Sequence, residues 1–132
     1  MLLNTRDIQL MNAFESMTHA RVEDCFEIEG VICFLVSNGE LGKAIGKGGS
    51  SISNARQRLG KNIVVFEDAD TPRELIEKAC RPVKASPVID QGSVRIDVPR
   101  SQRDNITGRQ IRLIKELVKR KLDAENVEFV FV

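Results

Sequence analysis

At 132 residues, with 42% apolar and 30% charged side chains, the chain is long enough for one ordinary domain or two small ones with packed cores. No apolar run approaches the ~20 residues that a membrane-spanning helix needs, and Met1 to Asn12 carries neither the basic start nor the small-residue cleavage site of a secretory signal, so a cytoplasmic protein with no membrane partner is expected. A net charge of +1 says nothing in bulk about a polyanionic partner, while one histidine (His19) and three cysteines (Cys25, Cys33, Cys80) without CxxC spacing argue against a metal site, a disulfide or a histidine-based catalytic set. The cysteines read as small buried hydrophobes, and His19 as a solvent-facing residue at a helix end.

In chain order, Asn4 or Thr5 can cap a first helix in which Ile8, Met11, Phe14 and Met17 recur at every third position. Val22 to Ile28 alternates partly, with Val22, Asp24, Phe26 and Ile28 on one face of a strand. Gly30 breaks the run, and Val31–Val36 reads as a buried strand. Turn residues Ser37–Glu40 and a short helical piece over Leu41–Ile45 lead into a glycine-rich loop. A helix with Ile52, Ala55 and Leu59 inward follows, stopped by Gly60, and then a strand over Asn62–Phe66.

Residues 67–71 form a polar junction, after which Thr71-Pro72-Arg73-Glu74 reads as a capping box with proline at the first helical position. The element order then repeats. A helix carries Leu75, Ile76, Ala79 and Cys80. Two strands follow, over Val83–Ile89 and Ser93–Val98, turning at Asp90–Gly92. After a polar stretch comes a helix with Ile111, Ile114, Leu117, Val118 and Leu122, and Asn126–Val132 closes as a strand. The pattern is helix-strand-strand-helix-helix-strand, twice. The copies align without gaps over the loop, Ile45 on Ile106, Gly46 on Thr107, Gly49 on Gln110 and Ile52 on Leu113. A repeat of this size indicates two tandem units.

Charge is local where it is not global. Residues 40–61 hold Lys43, Lys47, Arg56, Arg58 and Lys61 against Glu40 alone. Residues 100–121 hold Arg100, Arg103, Arg109, Arg112, Lys115, Lys119, Arg120 and Lys121 against Asp104 and Glu116. Solvated helix faces produce such windows. One of them, however, coincides with Ile45-Gly46-Lys47-Gly48-Gly49-Ser50-Ser51-Ile52, where three glycines admit close backbone approach and the following helix start attracts phosphate.

That octapeptide resembles the I-G-x-x-G-x-x-I signature of the KH domain, and the element order resembles its type II variant. Two such units over essentially the whole chain resemble the archaeal NusA-like proteins, relatives of the KH pair in the bacterial transcription factor NusA. The resemblance implies an α+β fold (an α/β sandwich) of two tandem type II KH domains, 1–68 and 69–132, each a three-stranded mixed sheet covered on one face by three helices. It also implies single-stranded RNA binding without catalysis or cofactor, by a monomer acting in transcription termination or antitermination, the loop clamping the backbone of about four nucleotides.

On this sequence the implied RNA-binding residues are Lys43, Ile45, Gly46, Lys47, Gly48, Gly49, Ser50, Ile52 and Arg56, with Ile45 and Ile52 at the groove floor. The second copy departs from the signature, because Thr107-Gly108-Arg109-Gln110 lacks both flanking glycines. Arg103, Gly108, Arg109, Arg112 and Lys115 are therefore candidates for a secondary contact, either with RNA or with a protein. The alternative function is a docking module that reaches RNA polymerase, another transcription component or a ribosomal component through the second domain. A nucleotide-hydrolase reading of Gly42–Gly48 fails on spacing, and because Gly48 follows Lys47 where a magnesium-binding Ser or Thr belongs.

Overall fold

A computed structural model gives the fold of residues 3–132; Met1 and Leu2 lie outside the described residues. Helix α1 (Thr5–Thr18) starts at Asn4, whose side chain accepts from the Asp7 amide at 2.8 Å while Asp7 accepts from the Asn4 amide at 3.3 Å. This reciprocal pair satisfies two amides that would otherwise lack partners. At the other end the Thr18 hydroxyl donates to the Phe14 carbonyl and accepts from the Ala20 amide, and exposed His19 caps the helix in the left-handed conformation. The threefold apolar spacing of α1 is only partly inward. Phe14 is buried, but Ile8 is 48% exposed, because a period of three drifts off the face of a helix that turns every 3.6 residues.

Strands β1 (Val22–Ile28) and β2 (Val31–Val36) pair antiparallel through a two-residue turn. After them come α2 (Leu41–Ile45), a one-turn 3-10 helix (Lys47–Gly49), α3 (Ser50–Leu59) and β3 (Asn62–Glu67). β3 adds parallel to β2, so the sheet order is β1-β2-β3 with β2 central and buried throughout. The expected alternation in β1 is broken. A register shift between Val22 and Asp24 puts Val22 with Cys25 in the core cluster and leaves Phe26 out of it. A bulge inserts one residue and moves every later side chain to the other face.

The chain divides into two compact units, the first running to Ala69 and the second Asp70–Val132. In the second, α4 (Pro72–Cys80) is capped by Thr71, which accepts from the Glu74 amide at 3.2 Å. Strand β4 (Ser86–Asp90) begins later than the apolar run Val83–Ile89 suggests. Val83 donates to the Cys80 carbonyl in a turn and Lys84 to the Gln102 side chain, so these amides are taken before any strand partner reaches them. β5 (Ser93–Val98) pairs antiparallel with β4 and parallel with β6 (Asn126–Phe131), giving the order β4-β5-β6. Between β5 and α5 (Gly108–Leu122) the helix expected from the repeat is a 3-10 helix, Arg100–Asn105. Both units thus share a helix, an antiparallel hairpin and a parallel third strand, and each is a three-stranded mixed sheet with helices, an α+β architecture.

In the first unit, one sheet face carries Cys25, Ile32, Phe34, Val36 and Ile63 against Phe14 of α1, Ala44 of α2, and Ile52 and Ala55 of α3. The Phe14 and Phe34 rings stack with centroids 4.1 Å apart. Burial of such rings is the main stabilising term for a unit this small. Phe34→Ala is therefore expected to cost about 3–5 kcal/mol, read from the shift of the denaturant midpoint. A loss below about 1 kcal/mol would show that this cluster does not hold the unit together.

Candidate nucleic-acid interface

The loop between α2 and α3 is built from its supports outward. A carboxylate at the end of β3 holds the start of α2: Glu67 Oε2 accepts from the Gly39 amide at 3.0 Å and from the Leu41 amide at 3.2 Å. Glu40 locks the same turn to the chain ahead of β1, accepting from the Arg21 amide at 3.0 Å and pairing with Lys43 at 3.2 Å. The Arg21 N–H first, and then Lys43, pull the Glu40 carboxyl below its ordinary value. Helix α2 ends as the Gly46 amide donates to the Gly42 carbonyl at 2.9 Å.

Gly46 adopts φ 78° and ψ 170°, a conformation that only glycine takes without strain. A Cβ there would stand 2.6 Å from the Ser51 nitrogen, so this glycine is also required by the close approach of the loop to α3. Gly48 and Gly49 have positive φ as well, but a Cβ on either would meet nothing within 4 Å. The backbone at the tip is therefore open on its outer side, with Lys47 and Gly48 exposed. Helix α3 then begins with no side-chain cap, whereas Asn4, Thr71 and Thr107 cap α1, α4 and α5. Its first-turn N–H groups and positive dipole end lie beside Lys47, an arrangement suited to an anion.

α2 and α3 both pack on β3, one of the two edge strands of the sheet, so the loop stands beside that edge. Ile45 is half-buried against the core, and Ile52 is only 6% exposed. Val65 of β3 is half-buried against the same core. The sequence alone did not single out Val65, since only the sheet order shows that its strand is at the edge. Ser50 is exposed at the start of α3. Arg56 is turned to structure, its guanidinium donating to the Ile63 carbonyl at 3.0 Å.

The corresponding loop of the second unit is chemically closed. Thr107 is extended (φ −90°, ψ 161°), and its hydroxyl accepts from the Gln110 amide at 3.1 Å while Gln110 Oε1 accepts from the Thr107 amide at 2.8 Å. Gly108 and Arg109 are exposed residues of an ordinary helical first turn, and Ile106 is 9% exposed where its counterpart Ile45 is half-buried. Arg103 lies over the Phe131 ring, 5.4 Å from its centroid. Arg112 is exposed and Lys115 half-buried on α5. The structure thus gathers Lys43 to Ile52 at one loop, and groups Arg109, Arg112 and Lys115 on one helix with Arg103 engaged elsewhere.

Among the described residues no group of three or more His, Cys, Asp or Glu could hold a metal ion, and no helix is long and apolar enough to cross a membrane. The three cysteines are buried and form no disulfide, and burial pushes the Cys33 and Cys80 thiols up to about 12.

The two sheets, the doubled element order and the glycine loop define a tandem pair of type II KH domains. The crystal structure of APE1850 superposes with a TM-score of 0.84 at 25% sequence identity, over 97% of this chain and 100% of that one. The sequence matches no family model. It is 30% identical over 122 residues to the probable transcription termination protein NusA of Halococcus morrhuae, covering 87% of this chain and 88% of that protein. It is 28% identical over 127 residues to the protein of the same name in Halobacterium salinarum, covering 91% of each. The like-named protein of Methanococcus vannielii is 37% identical over 86 residues, 65% of this chain, and there the match spans only 50% of the relative's length. The chain belongs to the archaeal NusA-like family.

Two outcomes are expected from the supports of the loop. Glu67→Ala should free the Gly39 and Leu41 amides and raise their hydrogen-exchange rates, while Glu67→Gln, which keeps an acceptor oxygen, should leave them protected; equal protection in both would show that the carboxylate does not hold the turn. Because the Glu40 value is lowered on folding, its contribution is fully present above the ordinary carboxylate value of 4.5 and is lost as pH falls through the lowered one. The Arg21 amide resonance should accordingly titrate below pH 4.5, a step that Glu40→Gln removes.

Proposed function

We propose that this protein binds single-stranded RNA without catalysing a reaction, and that the Gly46–Gly49 loop of the first domain clamps the RNA backbone. The observation that carries the reading is the start of α3. An uncapped helix N-terminus, open space over Gly48 and Gly49, and exposed Lys47 converge at one tip. Phosphates would take the first-turn amides, Lys47 would supply charge, and Lys43 would add to it on exchanging Glu40 for phosphate. Bases would lie on Ile45 and Val65 beside the β3 edge, with Ile52 supporting them from within the core. The relatives named as probable transcription termination proteins support a role on nascent transcripts, in termination or antitermination.

A second reading, a docking module that reaches RNA polymerase or a ribosomal component through the second domain, draws on the closed Thr107–Gln110 loop. A salt titration separates the two. With two to four phosphates neutralised, log K for single-stranded RNA should fall against log[salt] with a slope of about −1.4 to −2.8. Lys47→Asp and Gly48→Asp each place a carboxylate where a phosphate would sit, and each should lower affinity at least about tenfold, a loss of roughly 1.4 kcal/mol. Unchanged affinity in both variants, with the fold intact by circular dichroism, would remove the loop from the interface.

A further inference from the structure

Two lysines border the glycine loop, and they differ in what already holds them. Lys47 is exposed at the tip and makes no ion pair among the described residues. Lys43, four residues earlier, meets Glu40 Oε2 at 3.2 Å. The members of that pair are not equally mobile. The Lys43 side chain is 59% exposed, so its ammonium can swing to a new partner. Glu40 is 21% exposed, and its other oxygen accepts from the Arg21 amide at 3.0 Å. This bond to the backbone keeps the carboxylate at the foot of α2 whether or not Lys43 stays. Its ionisation lies below the ordinary carboxylate range, so it is charged at neutral pH.

We propose that Glu40 is an internal competitor for the RNA backbone, a fixed carboxylate that stands where a phosphate would on Lys43 and thereby sets the affinity and salt response of the loop. The inference rests on the reading of the Gly46–Gly49 loop as an RNA clamp and concerns what tunes that clamp. A phosphate that takes Lys43 leaves Glu40 without its cation. One anion replaces another on the ammonium, and a solution cation returns to the carboxylate as one leaves the RNA. The exchange is nearly neutral in counterions, and its gain is small because the contact made and the exposed ion pair broken are of one kind. Lys47 has no such exchange to make, and a phosphate that it neutralises releases its counterion in full. The loop therefore presents one cation at full strength and one attenuated, which makes binding weaker but less sensitive to salt than two unpaired lysines would.

The duplication supports a link between the pair and the open loop. Carried back from the loop, the alignment of Ile45 on Ile106 sets Glu40 on Ser101 and Lys43 on Asp104. The second unit, whose loop is closed by its own caps, thus lacks both the lysine and its competitor.

The test titrates the full chain with an unstructured RNA at several salt concentrations. Glu40→Gln removes the charge but keeps an acceptor for the Arg21 amide, whose exchange protection checks that the turn is intact. It should raise affinity about twofold to fivefold at low salt, the size of one exposed ion pair no longer broken. It should also steepen the slope of log K against log[salt] by roughly 0.7, one further phosphate neutralised. A merely structural role for Glu40 would weaken binding and leave the slope alone. Glu40→Gln/Lys43→Gln should return the slope to that of the unaltered protein, and Lys43→Gln alone should leave it unchanged. An unchanged slope in Glu40→Gln with the Arg21 amide still protected overturns the proposal. So does a slope shallower by roughly 0.7 in Lys43→Gln, which needs no intact Glu40 turn and would show that Lys43 acts as an unpaired cation. Lys47→Asp, run in parallel, separates the two ideas: loss of affinity there with no response in Glu40→Gln sinks this inference alone, and absence of RNA binding by the unaltered protein overturns both.

Discussion

The passage of the Gly46 backbone against the start of α3 is the constraint around which the loop is arranged. No side chain fits there, since a Cβ would stand 2.6 Å from the Ser51 nitrogen, and the φ of 78° excludes other residues on conformational grounds. That close approach lets α2 stop within one residue and α3 restart three residues later, so the intervening tip is thrown outward, its turn closed by the Gly49 amide on the Gly46 carbonyl and the Ser50 amide on the Lys47 carbonyl. At the equivalent place in the second domain stands Thr107. With a Cβ the chain stays extended, and with a hydroxyl it caps its own helix. Threonine and glutamine in place of two glycines of the duplicated frame thus turn an open helix start into a self-satisfied one.

The tip is positioned by charges that are themselves tied into structure. Glu67 reaches from the end of β3 to the first amides of α2, and Glu40 binds the same turn to the chain before β1, so the loop inherits the rigidity of the sheet. Other cations near the loops are similarly occupied: Arg56 on the Ile63 carbonyl, Arg103 over Phe131, Lys61 on Glu27 at 2.6 Å. Cations held in this way are worth little as binding energy, because a ligand must displace their partners before it gains anything. This gives different weights to residues that the sequence ranks equally. Lys47 stands exposed at an open loop tip, and the exposed cations of α5 form a row along a closed helix, so a net charge of +1 conceals two chemically different kinds of positive surface.

Much of the architecture was legible because its punctuation is local. Thr71-Pro72 starts a helix through one hydroxyl and one fixed φ, Gly60 stops α3 in the left-handed conformation, and Gly30 and Gly92 lie in the hairpin turns. The doubled order of elements followed from those marks and from alternating apolar runs. The errors arose where a partner elsewhere in the chain decides. The bulge at Val22 reverses the expected face of β1. Lys84 gives its amide to Gln102 and so delays β4. The segment after Pro99 tightens to a 3-10 helix, with the Arg100 amide held by the Val132 carbonyl.

The sequence by itself determined the duplication, the strand and helix order, and the place of the glycine loop between two helices, because glycine and proline conformations and helix caps act over four or five residues. Only the tertiary structure decided which side chains serve that loop. Arg56 proved to be a brace and Val65 a neighbour of the loop, since these roles depend on the parallel addition of β3 at the sheet edge and on acceptors remote in the chain. Hydrogen-bond partners and burial are set by the packing of distant segments, and no local pattern of residues encodes them.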